Sequence, residues 1–343
     1  MKKVEAQALD SIADYQLIDA PVPSPGANGV VVEIAACGVG YVDALVSLGR
    51  YQVKPPVPHT PGQEVSGWIA SVGQEVHGFA PGDRVLATVR GGFAEFVSTP
   101  ATAVVKIPNA MSFAQAAGFR INYITALHGL RDRAQLQPGE RLLVLGAAGG
   151  VGMAAVQVGK RLGATVIAAA STEEKRAFAL AHGADLAIDT SAEGWRDRLK
   201  QACGGSGPDV IFDPVCGPLF ELAFRSLTWR GRHLVVGFAG GPIPALPANL
   251  TLMKGAALTG VDVRQFQLFE AERAASQFTE LLGWVEEGSL APPVGRTFGL
   301  GDFAPALEFA LSGKGVGKTV VMVAEASRAA DGGIQKGRSL TGL

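Results

Sequence analysis

Two polar residues, Gln63 and Glu64, stand side by side in the loop TPGQEVSG at residues 60–67. A proline and two glycines flank the pair, as is typical of a turn or loop. An amide beside a carboxyl group is able to bind a metal ion, to transfer a proton or to fix a loop by hydrogen bonds. Each role leads to a different function, and the elements around the loop have to decide among them.

A second stretch suited to chemistry is the glycine-rich run LGAAGGVG at residues 145–152. It follows an apolar run and precedes apolar residues at helical spacing, and an ordinary strand-to-helix turn would also use glycine. In this β-α-β setting, however, glycines let the backbone approach a dinucleotide phosphate, and the N–H groups of the helix receive its charge. The predicted contacts are Gly146, Ala148, Gly149, Gly150, Val151 and Gly152.

The end of the next apolar run, TVIAAA, indicates which dinucleotide is bound. An acidic residue there would bind the ribose 2′-hydroxyl of NAD and repel the 2′-phosphate of NADP. The run instead ends in Ala170, and Ser171, Lys175 and Arg176 follow. We therefore predict NADPH as the cofactor, with Ser171 and Lys175 as contacts. Ser171 and Glu174 also fit a capping box and Lys175 a solvated surface, roles that are compatible with phosphate binding.

The elements that position these stretches are of two kinds. From residue 29 to about residue 106, short valine-rich runs are broken by Gly and Pro, which predicts an antiparallel β domain. After residue 138, apolar runs alternate with helical stretches, the pattern of an α/β, doubly wound parallel sheet. Its predicted strands are 141–145, 165–170, 186–189, 209–213, 233–237 and 257–261.

Strand-like runs return near the end of the chain, at 294–300 and 318–323, on either side of a helical stretch at 303–311. We therefore expect the chain to come back and complete the first domain. The predicted division is a discontinuous domain of residues 1–121 and 290–326, a dinucleotide-binding domain of residues 122–289, and a flexible tail of residues 327–343.

The composition of the chain excludes some classes of binding partner. The 343 residues include 30 basic and 31 acidic side chains, a formal charge of −1 that offers no attraction for nucleic acid or an anionic membrane. No run approaches the roughly 18 apolar residues of a membrane span, and no signal-peptide core follows the N-terminus. Three cysteines without C-x-x-C spacing argue against a disulfide framework or a structural zinc lobe. We expect a cytoplasmic protein with a small uncharged partner.

The order of segments resembles the medium-chain dehydrogenase/reductase superfamily, and within it the zinc-independent quinone oxidoreductase (ζ-crystallin-like) group. The resemblance rests on CGVGYVDALVSLGRY (37–51), PPVPHTPGQEVSGWIASVG (55–73), GDRV (82–85), GGFAEFV (91–97), YITAL (123–127), GAAGGVG (146–152) and GK (317–318). It implies a GroES-like β-rich catalytic domain formed by both ends of the chain, a Rossmann domain between them, and a homodimer. The sixth predicted strand gives a local reason for pairing, because an exposed edge strand is usually covered.

The resemblance also bears on the metal. In zinc-dependent members the loop reads PGHE, its His binds the catalytic zinc, and two ligand cysteines match Gly40 and Ile121 here. Zinc takes thiolate, imidazole or carboxylate ligands, and Gly40, Gln63 and Ile121 offer none of these. We expect no bound zinc, and we expect Glu64 to fix the loop by accepting hydrogen bonds from nearby backbone. Without a Lewis acid, the hydride acceptor must be electrophilic by itself, as quinones and α,β-unsaturated carbonyl compounds are.

Catalytic candidates come from the same resemblance. Tyr51 matches a tyrosine common in the quinone reductase group, and Tyr41 lies close to it in sequence. A phenol is able to donate a hydrogen bond or a proton to a developing oxyanion, although packing in the substrate pocket is an equal alternative. Gly40 replaces an asparagine common in the group, which removes one donor. For Arg120, a surface ion pair is the expected role.

The remaining cofactor contacts are also implied by the family. Thr125 matches a hydroxyl beside the nicotinamide, and the loops after the fourth and fifth strands contribute Val215, Gly237 and Phe238. The leading hypothesis is an NADPH-dependent reductase of quinones or activated alkenes, with small acceptors favoured over thioesters. The alternatives are an NADPH-binding structural or RNA-binding protein and, if zinc were bound, an alcohol dehydrogenase.

Overall fold

The computed structural model describes residues 1–323, and the predicted tail at 327–343 lies outside them. The strands in this range are β1 (Lys2–Glu5), β2 (Gln16–Asp19), β3 (Gly29–Val39), β4 (Glu64–Val72), β5 (Arg84–Thr88), β6 (Phe96–Pro100), β7 (Val104–Lys106), β8 (Arg141–Leu145), β9 (Thr165–Ala170), β10 (Leu186–Asp189), β11 (Val210–Asp213), β12 (Arg232–Val235), β13 (Ala257–Gly260), β14 (Val294–Gly299) and β15 (Lys318–Met322).

The α-helices of the same range are α1 (Tyr41–Ser47), α2 (Phe113–Ala116), α3 (Arg120–Leu127), α4 (Gly150–Arg161), α5 (Glu173–Ala181), α6 (Trp195–Ala202), α7 (Phe220–Ser226), α8 (Asn249–Lys254), α9 (Val263–Phe269), α10 (Ala271–Glu286) and α11 (Phe303–Ser312). A π-helical segment, His128–Arg133, continues α3. None of the helices within residues 1–323 is long and apolar enough to cross a membrane.

The six strands predicted after residue 138 form one parallel sheet in the order β10-β9-β8-β11-β12-β13. Alternate residues of β8 belong to two different cores: Leu142 and Val144 pack on the face covered by α3, α4 and α10, and Leu143 and Leu145 on the face covered by α6 and α7. Burial on both faces is why these strands read as continuous apolar runs. The predicted doubly wound sheet is confirmed, with β11, β12 and β13 differing from the predicted ranges by one or two residues at an end.

The second sheet has seven strands, in the order β14-β15-β3-β4-β5-β7, with β6 also paired to β3. All of its pairs are antiparallel except β14 with β15. The pairing of β15 with β3 joins the end of the described chain to its beginning, which confirms the predicted GroES-like fold class. Both sheets lie within the predicted domain limits, and the limits themselves stay predictions.

Candidate functional site

The candidate site lies at the carboxyl ends of the parallel strands. The order of the sheet reverses between β8 and β11, which are neighbours although β9 and β10 separate them in the chain. A crevice opens at such a switch point, and the loops after β8, β9, β11 and β12 border it. The glycine-rich run is the loop that joins β8 to α4.

The glycine-rich loop has the features that an anion requires. Gly146 has a left-handed φ of +60°, and a β-carbon at Gly152 would lie 2.2 Å from the Gly146 carbonyl oxygen. Both glycines are therefore needed to bring α4 against the turn. At Gly149, in contrast, the nearest atom to such a carbon is 3.5 Å away, which leaves room on that side. The backbone amides of Gly150 and Val151 donate no hydrogen bond to any of the described residues. Both are therefore available to a phosphate.

This loop is also joined to the β-rich domain. The amide of Gly317 donates to the carbonyl oxygen of Ala148 at 2.7 Å, and Gly317 forms a β-bridge with Gly149. The side chain of the next residue, Lys318, then runs past Gly150 and Gly118. Sequence reasoning assigned no role to Lys318, and the GK pair was the only trace of it in the resemblance.

The Lys318 ammonium lies beside Gly40, one of the three positions that match zinc ligands. A β-carbon at Gly40 would be 3.2 Å from the Lys318 Nζ atom and 3.4 Å from an oxygen of Asp43. Gln63 faces Asp43 at 3.5 Å through its side-chain amide. An ammonium group therefore takes the space that a ligand side chain would need, and its charge repels a metal cation. Within residues 1–323 no three His, Cys, Asp or Glu side chains are grouped to hold a metal ion, and these residues do not fit zinc.

Glu64 accepts backbone hydrogen bonds, as predicted, but not from its own loop. Its Oε1 atom accepts from the amides of Arg120 and Ile121, at the start of α3. The residue is buried, with only 4% of its surface exposed. Burial raises the pKa of Glu64 to about 7, against the opposing effects of Lys318 and the two amides. Glu64 thus connects the loop to α3 and holds a proton that is exchanged near neutral pH.

The predicted surface ion pair of Arg120 is wrong. Its guanidinium group lies over the ring of Phe278, 5.0 Å from the centroid, and its Nε and Nη1 atoms are buried without a hydrogen-bond partner in the part of the chain that the structure describes. This burial lowers the pKa of Arg120, and the charge of Glu64 opposes that change. Nothing in the residues around Arg120 indicated that α10 covers this side chain.

The cofactor-selecting region differs from the predicted capping box. The N-cap of α5 is Thr172, whose hydroxyl accepts from the Lys175 amide at 3.2 Å, and Ser171 stands exposed before it. The helix begins one residue later than a capping box of Ser171 and Glu174 would place it. That capping assignment is therefore wrong. As a result, the Ser171 hydroxyl has no capping role and is available to a ligand.

The two cations of this region are held differently. Lys175 donates through Nζ to the carbonyl oxygen of Gly313 at 2.5 Å, across to the β-rich domain. Arg176 pairs with Asp189 at 2.6 Å and also donates to the carbonyl oxygen of Ala170. Within residues 1–323 the Lys175 ammonium donates to a neutral carbonyl group, whereas a carboxylate neutralises Arg176. Lys175 is therefore the better candidate for a 2′-phosphate.

The other predicted cofactor contacts border the same crevice. The loops after β11 and β12 are bonded together, because the Gly240 amide donates to the carbonyl oxygen of Val215 at 2.7 Å. Gly237 approaches Pro214 closely, and Phe238 is partly exposed. The Thr125 hydroxyl is buried and donates to the Ile121 carbonyl in its own helix at 2.6 Å, so toward a ligand it is an acceptor.

The two tyrosines lie at opposite ends of α1. Tyr41 is its first residue, directly after Gly40, and Tyr51 follows the helix. Both are partly exposed, and within residues 1–323 neither phenol has a hydrogen-bond partner. Both hydroxyl groups are thus free to donate, and their roles stay predictions.

Comparison with family models matches two regions of the chain. Residues 26–109 match the alcohol dehydrogenase GroES-like domain, and residues 150–284 match the zinc-binding dehydrogenase family. A curated relative, the quinone oxidoreductase-like protein 2 homolog of Nematostella vectensis, is 36% identical over 299 residues, which are 86% of this chain and 82% of the relative.

Solved structures of similar proteins have the same fold. Escherichia coli quinone oxidoreductase complexed with NADPH has a TM-score of 0.84 and 26% identity, with coverage of 94% of this chain and 100% of that one. The CurK enoyl reductase has a TM-score of 0.84 and 26% identity, with coverage of 94% and 99%.

Proposed function

Because this chain belongs to the zinc-independent quinone oxidoreductase group of the medium-chain dehydrogenase/reductase superfamily, we propose that it is an NADPH-dependent oxidoreductase that transfers hydride to quinones or to the C=C bond of α,β-unsaturated carbonyl compounds. The observation that carries this proposal is the Lys318 ammonium, which lies 3.2 Å from the place of a β-carbon at Gly40, a position that matches a zinc ligand. Although one matching family is named for zinc, the donor set of this chain does not fit that metal. A substrate that is electrophilic without a Lewis acid is therefore favoured.

The residues present fit NADPH. The free amides of Gly150 and Val151 would receive the pyrophosphate at the start of α4, with Lys318 alongside. Ser171 and Lys175 would hold the 2′-phosphate, and no acid at Ala170 repels it. The bound cofactor supplies the hydride. The remaining predicted contacts, toward the ribose and the nicotinamide, are Thr125, Val215, Gly237 and Phe238.

On the acceptor side the chain's own task is to stabilise charge. Hydride transfer to a quinone or an enone leaves negative charge on an oxygen, which needs a hydrogen-bond donor and then a proton. Tyr51 is the first candidate for this donor and Tyr41 the second, since neither phenol has a hydrogen-bond partner among residues 1–323. The E. coli quinone oxidoreductase and the CurK enoyl reductase are named for these two substrate classes, so both remain in the proposal.

The test follows the oxidation of NADPH, with NADH in parallel, against an aromatic quinone, a 2-alkenal and, in reverse, a simple alcohol, and identifies each product. We expect turnover of the quinone or reduction of the alkenal at its C=C bond, with NADPH preferred. Oxidation of the alcohol at a comparable rate would contradict the proposal. Tight NADPH binding without any turnover would indicate a non-enzymatic role.

We also propose a homodimer that pairs through β13. This strand is the edge of the parallel sheet, and apolar side chains near it are exposed, among them Leu258 on the strand and Leu252, 82% exposed, on α8. An uncovered apolar edge favours association with a second copy. Light scattering should give twice the chain mass, and Leu258→Lys should shift it toward the monomer. A concentration-independent monomer would contradict the pairing, and the cytoplasmic location stays a prediction.

A further inference from the structure

A histidine and an aspartate are completely buried beneath the cofactor loops. His233 on β12 and Asp213 at the end of β11 are both 0% exposed, and the His233 Nε2 atom lies 3.0 Å from Oδ2 of Asp213. The rings of Phe220 and Phe224 pack against the imidazole. Because a carboxylate only accepts, the hydrogen of this bond belongs to Nε2. Burying two polar side chains in a strand core costs free energy, so the pair calls for a role that an apolar residue would not fill.

The other oxygen of Asp213 fixes the loop that follows β11. Oδ1 accepts from the amides of Val215 at 2.9 Å and Cys216 at 2.7 Å. Cys216 has a φ of +43°, a left-handed conformation that is strained for a residue with a β-carbon. The carboxylate therefore holds the backbone in a shape that the chain would otherwise leave, and it can do so only while its own orientation is fixed.

This loop sets the spacing of its neighbours. The methyl groups of Val215 lie between two glycines of different loops, since a β-carbon at Gly146 or at Gly240 would be 2.9 Å from one of them. Gly146 opens the glycine-rich loop after β8, and Gly240 belongs to the loop after β12. A displacement of Val215 would move into, or away from, both loops of the crevice.

We propose that His233 is a positioning residue for the dinucleotide site. Its Nε2–H group fixes the carboxylate of Asp213, the carboxylate holds Val215 and Cys216, and the Val215 side chain sets the distance between the loops after β8 and β12. His233 itself touches no ligand. The inference rests on the proposed NADPH site, and it adds a residue three contacts removed from the cofactor.

The test compares variants that keep or remove the donor. His233→Leu removes it, His233→Gln retains an N–H at a similar reach, and Cys216→Gly relieves the left-handed strain. We expect His233→Leu to weaken NADPH binding about tenfold by fluorescence titration and to raise KM for NADPH similarly, with kcat within about twofold, because a loss of cofactor binding that is equal in the ground state and the transition state raises KM alone. His233→Gln should restore most of the affinity, and so should Cys216→Gly added to His233→Leu. His182→Leu, at the residue that follows α5 and away from these loops, is the matched control.

Hydrogen exchange on the cofactor-free protein gives a second readout. The amides of Val215 and Cys216 should exchange faster in His233→Leu than in the wild type and His233→Gln. An unchanged NADPH affinity in a folded His233→Leu protein, or unchanged exchange at these amides, overturns the inference. Wild-type protein that binds no NADPH overturns the proposed function instead, and the exchange data then decide alone whether His233 holds the loop.

Discussion

The nucleotide side and the acceptor side of the crevice use different atoms of the chain. On the nucleotide side, the contacts are made by the backbone. Gly152 permits the close approach of α4, and Gly149 leaves space beside the amides of Gly150 and Val151, which donate to none of the described residues. On the acceptor side the contacts are made by side chains, because Asp43, Glu64 and Lys318 form a group of charges close to Gly40, the residue before Tyr41.

The difference determines how each side tolerates change. A backbone cradle depends on the absence of β-carbons, so a single methyl group is enough to damage it. A charge cluster depends on balance, and its members are able to change protonation or orientation while the fold persists. We therefore expect substitutions on the nucleotide side to abolish binding, and those on the acceptor side to shift rates and pH profiles.

The largest effect should come from Gly152→Ala. The added carbon would lie 2.2 Å from the Gly146 carbonyl oxygen, so α4 must move away from the turn, and overpacking of this kind costs about 1–3 kcal/mol of stability. NADPH affinity should fall by at least about 100-fold, which is about 2.7 kcal/mol, by fluorescence titration. Gly283→Ala, where a β-carbon meets no atom within 4 Å, is the control. Equal affinity in both variants would contradict the backbone cradle.

The next effect belongs to the acceptor side. Tyr51→Phe removes a donor that makes no hydrogen bond within the described protein, so the fold should be unaffected. If the phenol protonates or stabilises the oxyanion, kcat for an enone should fall about 100-fold with NADPH affinity unchanged. Tyr41→Phe is the matched control and should lose less. Unchanged turnover in Tyr51→Phe would leave this side chain with packing alone.

What the sequence revealed follows the same division. The glycine-rich loop and the run ending at Ala170 were predicted because periodicity and glycine spacing act locally along the chain. The N-cap at Thr172 instead of Ser171 was missed by one position, since both residues are able to cap. Where two hydroxyl residues such as Ser171 and Thr172 are adjacent, the sequence does not determine which of them is the N-cap of the helix.

The acceptor side was less accessible because its contacts join distant segments. The residue types at the three matching positions were enough to predict that no zinc ligands are present. Nothing near Gly40, however, indicated that the Lys318 side chain would reach Gly40 from β15. In the same way, the partners of Glu64 lie 56 residues further along the chain, and Arg120 is covered by Phe278 of α10. Such contacts are set by tertiary packing, which spacing in the sequence does not encode.

A smaller effect should separate the two cations of the cofactor-selecting region. Lys175→Ala removes an ammonium held by one neutral carbonyl, and NADPH affinity should fall about tenfold while NADH affinity stays the same, as the loss of one charge-assisted hydrogen bond implies. Arg176→Ala is the control, because Asp189 already neutralises that guanidinium group. A larger loss of NADPH selectivity in Arg176→Ala would reverse the assignment.

The smallest change in activity, with a measurable change in stability, is expected for Glu64→Gln. The folded pKa of Glu64 is raised from 4.5 to about 7, mainly by burial. Between these pH values the folded protein binds more protons than the unfolded chain, so this group lowers the free energy of unfolding as pH rises, by about 3 kcal/mol in total. Glu64→Gln retains an oxygen for the α3 amides and removes the titration.

Urea unfolding at pH 5 and pH 8 measures the difference. The variant should gain stability relative to the wild type at pH 8 and much less at pH 5, whereas Glu75→Gln, at an exposed position, should change neither. If the wild type and Glu64→Gln lose the same stability between pH 5 and pH 8, the charge of Lys318 compensates the buried carboxylate fully. In that case the acceptor side would hold a fixed ion pair, as rigid in its charges as the nucleotide side is in its backbone.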